Sequence, residues 1–321
     1  MPPKIAALPK AELHLHLEGS IRPPIAAVLA ARHGVVLTED EVGRRYACLD
    51  FSAFIEAFKW VTSFLQEPAD FALVVSDLGE QLLAQNVIYA EVTLSVGVML
   101  LRKQNPQANF EAIAAAAEPF GRRGLRLNWI FDSVRQYGAD LALQVVDWAQ
   151  RCNSPRIVAF GIGGDELSIA TKEFQDVYKQ AAHRGLRRLI HAGEIGGPEK
   201  IREAVELLGV ERVGHGIAAI HDPALMDLLA ARRIALEVCP ASNFLTGALA
   251  SQIREAAPSI SQHPLPQLLR HGIPVVLSTD DPSMFHTTLR DEYQHAHDMG
   301  LSEVELAELV SNSFTFAFAP P

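Results

Sequence analysis

The sequence has 321 residues, of which 49% are hydrophobic and 21% are charged, as in globular proteins with enough apolar side chains for a large core. Its formal net charge of -10 argues against a nucleic-acid-binding protein, which usually carries a basic surface, so we expect a small-molecule ligand. No segment approaches the ~18 consecutive apolar residues of a membrane span, and the N-terminus has no apolar segment of signal-peptide length. We therefore expect a cytoplasmic protein that binds no membrane.

The cysteines point to the same compartment. Cys48, Cys152 and Cys239 are odd in number, widely spaced and free of any CxxC pair. This pattern predicts neither a disulfide framework nor a cysteine zinc site, and it fits a reducing compartment.

Short β-type segments alternate with longer amphipathic segments along the chain, with no low-complexity linker or sequence repeat between them. Eight segments are rich in β-branched and aliphatic residues and are predicted to be strands. In chain order they are residues 11–19, 87–95, 125–134, 156–163, 186–194, 212–216, 234–240 and 273–281. The amphipathic segments, several of which end in Gly or Asn, predict helices at 70–86, 140–153, 172–185, 198–210 and 223–233.

Eight strand-then-helix units predict an α/β fold, a closed (β/α)8 TIM barrel in a single domain that covers residues 1–321. The additional helical sequence between residues 36 and 70 is then an insertion over the barrel mouth, after the first strand. Its aromatic residues have the spacing of a core-facing helix, so we expect most of them in the core and one or two in a pocket wall. They are Phe51, Phe54, Phe58 and Trp60. The outer helix faces predict no particular oligomeric state.

The stretch AELHLHLEGS, residues 11–20, places His14 and His16 two positions apart near the end of the first predicted strand. Side chains two apart on a strand point to the same face. In a (β/α)8 barrel the C-terminal strand ends form the active-site mouth. Two neutral imidazoles there are half of a zinc site, which usually takes three or four N, O or S ligands. The alternative is that each histidine is an ordinary hydrogen-bonded core residue.

Other predicted strand ends carry residues of the same types. They are His191, Glu194, His215, Asp280 and Asp281. If the barrel forms, these residues meet at one rim, and their concentration there favours a metal site over a set of unrelated core residues. Because Pro follows the two aspartates, they also fit the start of a helix, and both roles can coexist.

The sequence also resembles a known family, the adenosine and adenine deaminases of the metal-dependent amidohydrolase superfamily, over nearly its whole length. Six motifs carry the resemblance in this order: LPKAELHLHLEGS at 8–20, GDE at 164–166, HAGE at 191–194, RVGHG at 212–216, CPASNFLTG at 239–247 and LSTDDPSMF at 277–285. The resemblance implies hydrolysis of the 6-amino group of an adenine-type substrate, with the 6-oxopurine and ammonia as products.

The same resemblance implies the metal and the catalytic groups. One zinc ion per chain would be held by His14, His16, His191 and Asp280. Glu194 would donate a proton to the purine N1, and His215 would orient the attacking water. His215 and Asp280 lie beside that water and would take its proton. Zinc itself follows from the resemblance, since three imidazoles and a carboxylate accept several divalent ions.

The substrate contacts follow from the resemblance too. Asp281 would hydrogen-bond the purine N7, the backbone N–H of Gly164 would meet N3, and Glu18 would face the sugar. With Gly164 and Gly214, the sequence resembles the branch of the family that uses nucleosides. Adenosine enzymes, however, usually have Asp where Glu18 stands and a proline-containing pattern where this chain has YAEVTLSVGVML. We predict a deaminase of N9-substituted adenines, namely adenosine or the 6-amino-6-deoxyfutalosine of menaquinone synthesis, with free adenine as the alternative substrate.

Two other classes of protein compete with this prediction. A lactonase or phosphotriesterase on the same barrel commonly uses two metals bridged by a carboxylated lysine at a strand end, but Gly164 follows the fourth predicted strand here. A catalytically inactive relative would act as a binding protein, and the intact ligand and acid positions give that hypothesis no support.

Overall fold

Eight parallel strands form one sheet whose order follows the chain, each strand hydrogen-bonded to the next, in the computed structural model, which describes residues 1–47 and 50–319. The strands are β1 (Lys10–His16), β2 (Val87–Leu94), β3 (Arg126–Val134), β4 (Ile157–Gly163), β5 (Arg187–Ala192), β6 (Arg212–His215), β7 (Ala235–Val238) and β8 (Val275–Leu277). The predicted (β/α)8 TIM barrel is confirmed.

The first and last strands meet through the residues that follow β8. Leu15 forms a parallel bridge with Asp280. The backbone N–H of His16 donates to the Asp280 carbonyl at 2.8 Å, and the Asp280 N–H donates to the His14 carbonyl at 3.0 Å. The contact that closes the barrel therefore also brings together three of the predicted site residues.

Helices surround the barrel on its outside, and further helices form the insertion. They are α1 (Pro3–Ala7), α2 (Pro23–Arg32), α3 (Glu39–Tyr46), α4 (Phe51–Thr62), α5 (Pro68–Ala84), α6 (Val96–Leu101), α7 (Pro106–Arg122), α8 (Gly138–Cys152), α9 (Gln175–His183), α10 (Pro198–Glu203), α11 (Pro223–Arg232), α12 (Pro240–Leu245), α13 (Ala248–Ile253), α14 (Leu265–Arg270), α15 (Leu289–Asp298) and α16 (Glu303–Thr315). Helices pack on the outer face of the sheet and side chains fill the inside of the barrel, so both faces are buried, and every residue of β1 and β4 is buried.

Two predicted elements differ in length from the structure. The strand predicted at 273–281 pairs only over Val275–Leu277, because the chain then crosses to β1 and Asp280 adopts a left-handed φ of 66°. The helix predicted at 198–210 ends at Glu203 and continues as one wide turn over Ala204–Leu208, before Gly209 at a φ of 63°.

The predicted insertion after β1 is confirmed and consists mainly of α3 and α4. The Thr38 hydroxyl accepts from the Glu41 N–H at the start of α3, and Asp50 accepts from the Ala53 N–H at the start of α4. These caps satisfy N–H groups that a helix start otherwise leaves free. They fix the residues at which the two helices begin, and α4 contributes residues to the wall of the cavity at the mouth.

The remaining predictions concern location and cysteine chemistry. Among the described residues, no helix combines the length and apolar character that crossing a membrane requires. Cys152 and Cys239 are buried free thiols, and Cys48 lies outside the described residues. The cytoplasmic location and the assignment of 1–321 to one domain stay predictions.

Candidate functional site

The histidines and acidic residues predicted from strand ends gather at the C-terminal mouth of the barrel. Four of them offer ligand atoms that all lie within 4.8 Å of one another, namely His14, His191, His215 and Asp280. His16 borders the same space, with its Nε2 3.3 Å from His191 Nε2 and 3.3 Å from Asp280 Oδ1. The four predicted metal ligands are thus together, and a ring nitrogen of His215 lies among them.

The hydrogen bonds behind two histidines leave lone pairs aimed into this space. His14 Nδ1 donates to Glu237 Oε2 at 2.7 Å, and His191 Nδ1 donates to the Ile162 carbonyl at 3.2 Å. A neutral imidazole then has its lone pair on Nε2. His14 Nε2 is buried and has no hydrogen-bond partner within the part of the chain that the structure describes. This donor set fits a divalent cation, since metal-bound histidines usually carry such an acceptor behind the second ring nitrogen.

The charge of the cluster also favours a cation. Burial lowers the pKa of His14, but Asp280 and Glu237 outweigh it and raise this pKa to about 10. Burial opposes protonation of His16 as well, while Asp281 and Asp280 raise its pKa to about 9. The carboxylates therefore attract positive charge into the space between the imidazoles, and a bound cation would supply that charge in place of the ring protons.

Two of the site residues have unusual backbone conformations. His215 has a φ of 60° and Asp280 a φ of 66°, in the left-handed region that residues with a Cβ rarely adopt. The Ser242 hydroxyl donates to Asp280 Oδ2 at 2.7 Å and helps to fix that carboxylate. Such strained positions are common at functional sites, where the surrounding contacts hold them.

Glu194 lies two residues after β5 and faces the cluster. Its Oε2 is 3.6 Å from His215 Nε2, and the side chain is 8% exposed. Burial, followed by the negative charges of Asp280 and Glu166, raises the pKa of Glu194 to about 8. Glu194 consequently holds a proton at neutral pH and can act as a general acid.

Glu166 holds the turn that carries Glu194, and the sequence interpretation gave it no role. Its carboxylate accepts the backbone N–H groups of Gly193, Glu194, Ile195 and Gly196, the last at 3.0 Å. The side chain is buried. The one signal in the sequence is its place as the last residue of the GDE motif, which directly follows β4.

A cavity that opens to solvent extends from this cluster to the insertion. Gly164 follows β4 at a φ of 89°, and a Cβ there would lie 2.6 Å from Gln136 Oε1, so the chain needs glycine at this wall. Asp281 lines the same cavity, and burial together with the charge of Asp280 raises its pKa well above the ordinary value.

Glu18 lies beyond this cavity, beside a much smaller and narrower one. Its Oε1 accepts the Ser95 N–H at 2.9 Å, and its Oε2 has no hydrogen-bond partner among residues 1–47 and 50–319. Burial raises the pKa of Glu18. Ser95, Phe58 and Val98 line both cavities, so the two adjoin.

Two findings at the cavity wall differ from the expectations. Phe51, Phe54 and Phe58 all line the cavity, whereas one or two aromatic residues were expected there. Trp60 lies elsewhere, with the Arg45 guanidinium 4.9 Å from its ring centroid. Asp132, near the end of β3, was missed, and burial raises the pKa of this cavity-lining carboxyl to about 7.

Comparisons with known proteins agree with this geometry. The sequence model of the adenosine deaminase family matches residues 9–321. The chain is 36% identical to an aminodeoxyfutalosine deaminase of Streptomyces coelicolor, over 98% of this chain and 81% of that protein. It is 31% identical to the crystal structure of an adenine deaminase from Arthrobacter aurescens, with a TM-score of 0.88 over 98% and 94% of the two chains. An amidohydrolase from Burkhoderia ambifaria with bound Zn shares the fold, with 24% identity, a TM-score of 0.88 and coverage of 98% and 87%.

Proposed function

Because the chain belongs to the adenosine deaminase family and is an aminohydrolase, we propose that it removes the 6-amino group of an N9-substituted adenine with the help of one zinc ion. The products are the 6-oxopurine and ammonia. One observation carries this proposal. Glu194, a buried carboxyl with a pKa of about 8, faces a cluster of His and Asp ligand atoms in the cavity at the barrel mouth.

The proposed ligands are His14, His16, His191 and Asp280. This set is supported by the Nε2 lone pairs of His14 and His191, whose Nδ1 atoms are bonded to acceptors on the other side of each ring. The carboxylate of Asp280, close to His14 Nε2, also supports it. A zinc ion bound there lowers the pKa of a water and so supplies a nucleophile near neutral pH. The dinuclear alternative has little support, since β4 contains no lysine.

The proposed roles of the acid and the water-orienting groups follow from their positions. Glu194 donates its proton to the purine N1 as water adds at C6, which gives the ring electrons a place to go. Asp280 and His215, which border the same space, orient the attacking water, and its proton passes to the carboxylate of Asp280. The amino group then takes the proton held by Asp280 and leaves the tetrahedral carbon as ammonia. The hydroxyl proton returns to Glu194, and the 6-oxopurine remains.

The purine ring is oriented by two groups in this proposal. Asp281 donates its proton to N7, which the raised pKa of this buried carboxyl supports. The backbone N–H of Gly164 donates to N3. Both groups line the same cavity as Glu194, so one purine can meet all three.

The sugar end decides between substrates. Glu18 offers a buried, unpartnered carboxylate oxygen within the described residues, and the smaller cavity around it extends past Ser95 to Arg102. This buried acceptor, rather than the narrow space around it, supports a nucleoside with a polar extension at the 5′ carbon, such as 6-amino-6-deoxyfutalosine. Adenosine is the second nucleoside candidate. Free adenine remains the alternative, because the adenine deaminase of Arthrobacter aurescens is also similar.

The test is ammonia release by the zinc-loaded protein from adenosine, adenine, 5′-methylthioadenosine and aminodeoxyfutalosine, compared as kcat/KM. We expect the nucleosides to exceed adenine, with aminodeoxyfutalosine first. Preference for free adenine over both adenosine and aminodeoxyfutalosine would overturn the N9-substituted assignment. Absence of ammonia from all four would overturn the proposed reaction, and the Glu194→Gln protein serves as the control for contaminating deaminases.

A further inference from the structure

His215 lies among the metal-ligand candidates, but its hydrogen bonds differ from those of the other histidines. Behind His14 and His191 stand acceptors, the Glu237 carboxylate and the Ile162 carbonyl. Behind His215 stands the side-chain amide of Asn243, whose Nδ2 is 3.0 Å from His215 Nδ1. Which atom of that amide faces His215 decides where the proton of the ring lies.

A backbone N–H, two hydrogen bonds away from the Asn243 amide, determines the orientation of that amide. The N–H of Leu265 donates to His263 Nδ1 at 3.1 Å, and a backbone N–H is always a donor. His263 Nδ1 therefore carries a lone pair. An imidazole in a protein has at least one N–H, so the proton of His263 lies on Nε2. His263 is 3% exposed, and water does not compete for these atoms.

The orientation of Asn243 follows from that proton. His263 Nε2 is 3.2 Å from Asn243 Oδ1, which accepts its N–H. The reversed amide would set two donors against each other. Asn243 Nδ2 consequently donates to His215 Nδ1, and the proton of a neutral His215 lies on Nε2. That nitrogen faces Glu194 Oε2 at 3.6 Å and Asp280 Oδ2 at 3.9 Å.

We propose that His263 and Asn243 are positioning residues that hold the proton of His215 on Nε2, so that His215 donates a hydrogen bond in the site and supplies no metal ligand. The fourth ligand position then belongs to His16, whose Nε2 lies 3.3 Å from Asp280 Oδ1. The proton of the attacking water goes to Asp280, since His215 Nε2 already carries one. The last two statements rest on the proposed function, whereas the position of the proton on His215 does not.

Asn243→Asp reverses the direction of the hydrogen bond between residue 243 and His215 without changing the size of the side chain. A carboxylate accepts from both neighbouring imidazoles, so the proton of His215 moves to Nδ1 and the lone pair moves to Nε2. Because the catalytic donor is lost, we expect kcat to fall about 10–100-fold with little change in KM. Asn105→Asp, at the exposed start of α7, introduces the same charge and is the matched control.

The direct readout is the 15N chemical shift of the His215 ring in histidine-labelled protein, measured with zinc and after its removal, and assigned by its loss in His215→Gln. We expect a protonated Nε2 in the wild type and in Asn105→Asp, and a protonated Nδ1 in Asn243→Asp. A bare Nε2 on His215 in the metal-free wild type would overturn the proposal, and this spectrum decides it even if Asn243→Asp fails to fold. Full zinc content in His215→Gln, with reduced zinc affinity in His16→Ala, is the expected metal result, and the opposite pattern would overturn it too. If the zinc-loaded wild type deaminates none of the four substrates, the proposed function fails while the spectrum still tests the proton position.

Discussion

Buried charged groups have different surroundings at the two ends of the barrel, the active-site mouth and the opposite mouth. Where the strands begin, Arg212 lies between the carboxylates of Glu91 and Glu237 at 2.6 and 2.5 Å, with its guanidinium 3.6 Å from the ring centroid of Phe318. Lys10 of β1 donates to three backbone carbonyls there. Charges at this end are opposed by partners from the protein itself, as expected for an end that provides stability.

Where the strands end, burial acts on carboxyl groups that face a cavity. It raises the pKa of Asp132 to about 7, and burial with neighbouring negative charge raises that of Glu194 to about 8. Within the part of the chain that the structure describes, these groups have no charged partner that neutralises them, so they can bind a ligand or a metal or exchange a proton with a substrate. The difference shows that the same residue type, a buried carboxylate, serves stability when paired inside the protein and chemistry when a cavity is left beside it.

Glu194→Gln is the change with the largest expected effect. The amide keeps the shape of the side chain but has no proton to give to N1, so kcat falls about 10²–10⁴-fold. Zinc content and melting temperature stay at wild-type values. Steady-state ammonia release, metal analysis and a thermal melt measure the three quantities. Wild-type turnover in this variant would remove Glu194 from the mechanism, and Glu303→Gln, exposed in α16, is the matched control.

Arg212→Met tests the opposite mouth. The change removes the cation that faces both Glu91 and Glu237, two carboxylates that are 0% exposed, and we expect the free energy of unfolding to fall by about 3–5 kcal/mol. Urea denaturation measures it. The matched control is Arg270→Met, because Arg270 pairs with Glu305 at the surface, where such pairs contribute little. Equal losses in the two variants would mean that the buried pairing at this mouth has no special importance.

Glu237→Gln breaks the link between the two mouths, since one carboxylate oxygen faces Arg212 and the other accepts from His14. A neutral amide makes His14 a weaker ligand, so we expect zinc affinity to fall about 10–100-fold. Competition with a chelator, well below the melting temperature, measures the affinity. Glu292→Gln is the control, because Glu292 is equally buried and bonds Thr287 instead. Unchanged zinc affinity in Glu237→Gln would show that the contacts at the opposite end of the barrel do not influence the metal site.

The smallest expected effect is the response to alkaline pH. Glu194 acts only when protonated, and its pKa is raised from 4.5 to about 8, so activity holds below that value and falls as pH rises through it. Between pH 7 and pH 9 we expect a decrease of about tenfold in kcat/KM, one unit of pH above the pKa. A pH–rate profile from 6 to 10 measures it. A constant rate up to pH 10 contradicts the assignment, and the residual rate of Glu194→Gln serves as the reference without this limb.

Much of the fold was predictable because its signals are local. The strands of a (β/α)8 barrel are short apolar segments at regular intervals, and all eight predicted segments contain a strand. The site residues were predictable for a related reason. His14 and His16 share a face by their spacing, and His191, Glu194 and His215 lie at or just after strand ends, which meet at one rim.

The groups that support the site were not predictable in this way. Glu166 hydrogen-bonds Glu194, Asn243 hydrogen-bonds His215, and His263 hydrogen-bonds Asn243 in turn. These bonds depend on how segments distant along the chain meet. Three aromatic residues of α4 also line the cavity, because the insertion lies over the mouth and turns a core-like stripe toward it. Periodicity reports which face of a helix is apolar, but it does not report what that face covers.

The sequence by itself determined the eight strands, the order of the units and the types of residue at each strand end, since all of these follow from neighbours along the chain. Only the tertiary structure decided the protonation and the partners of those residues. His14 and Glu237 are 223 positions apart, and their hydrogen bond exists because the barrel closes and excludes water around them. Burial and pairing set the pKa values and the ring protons, and both are properties of the space that the folded chain encloses.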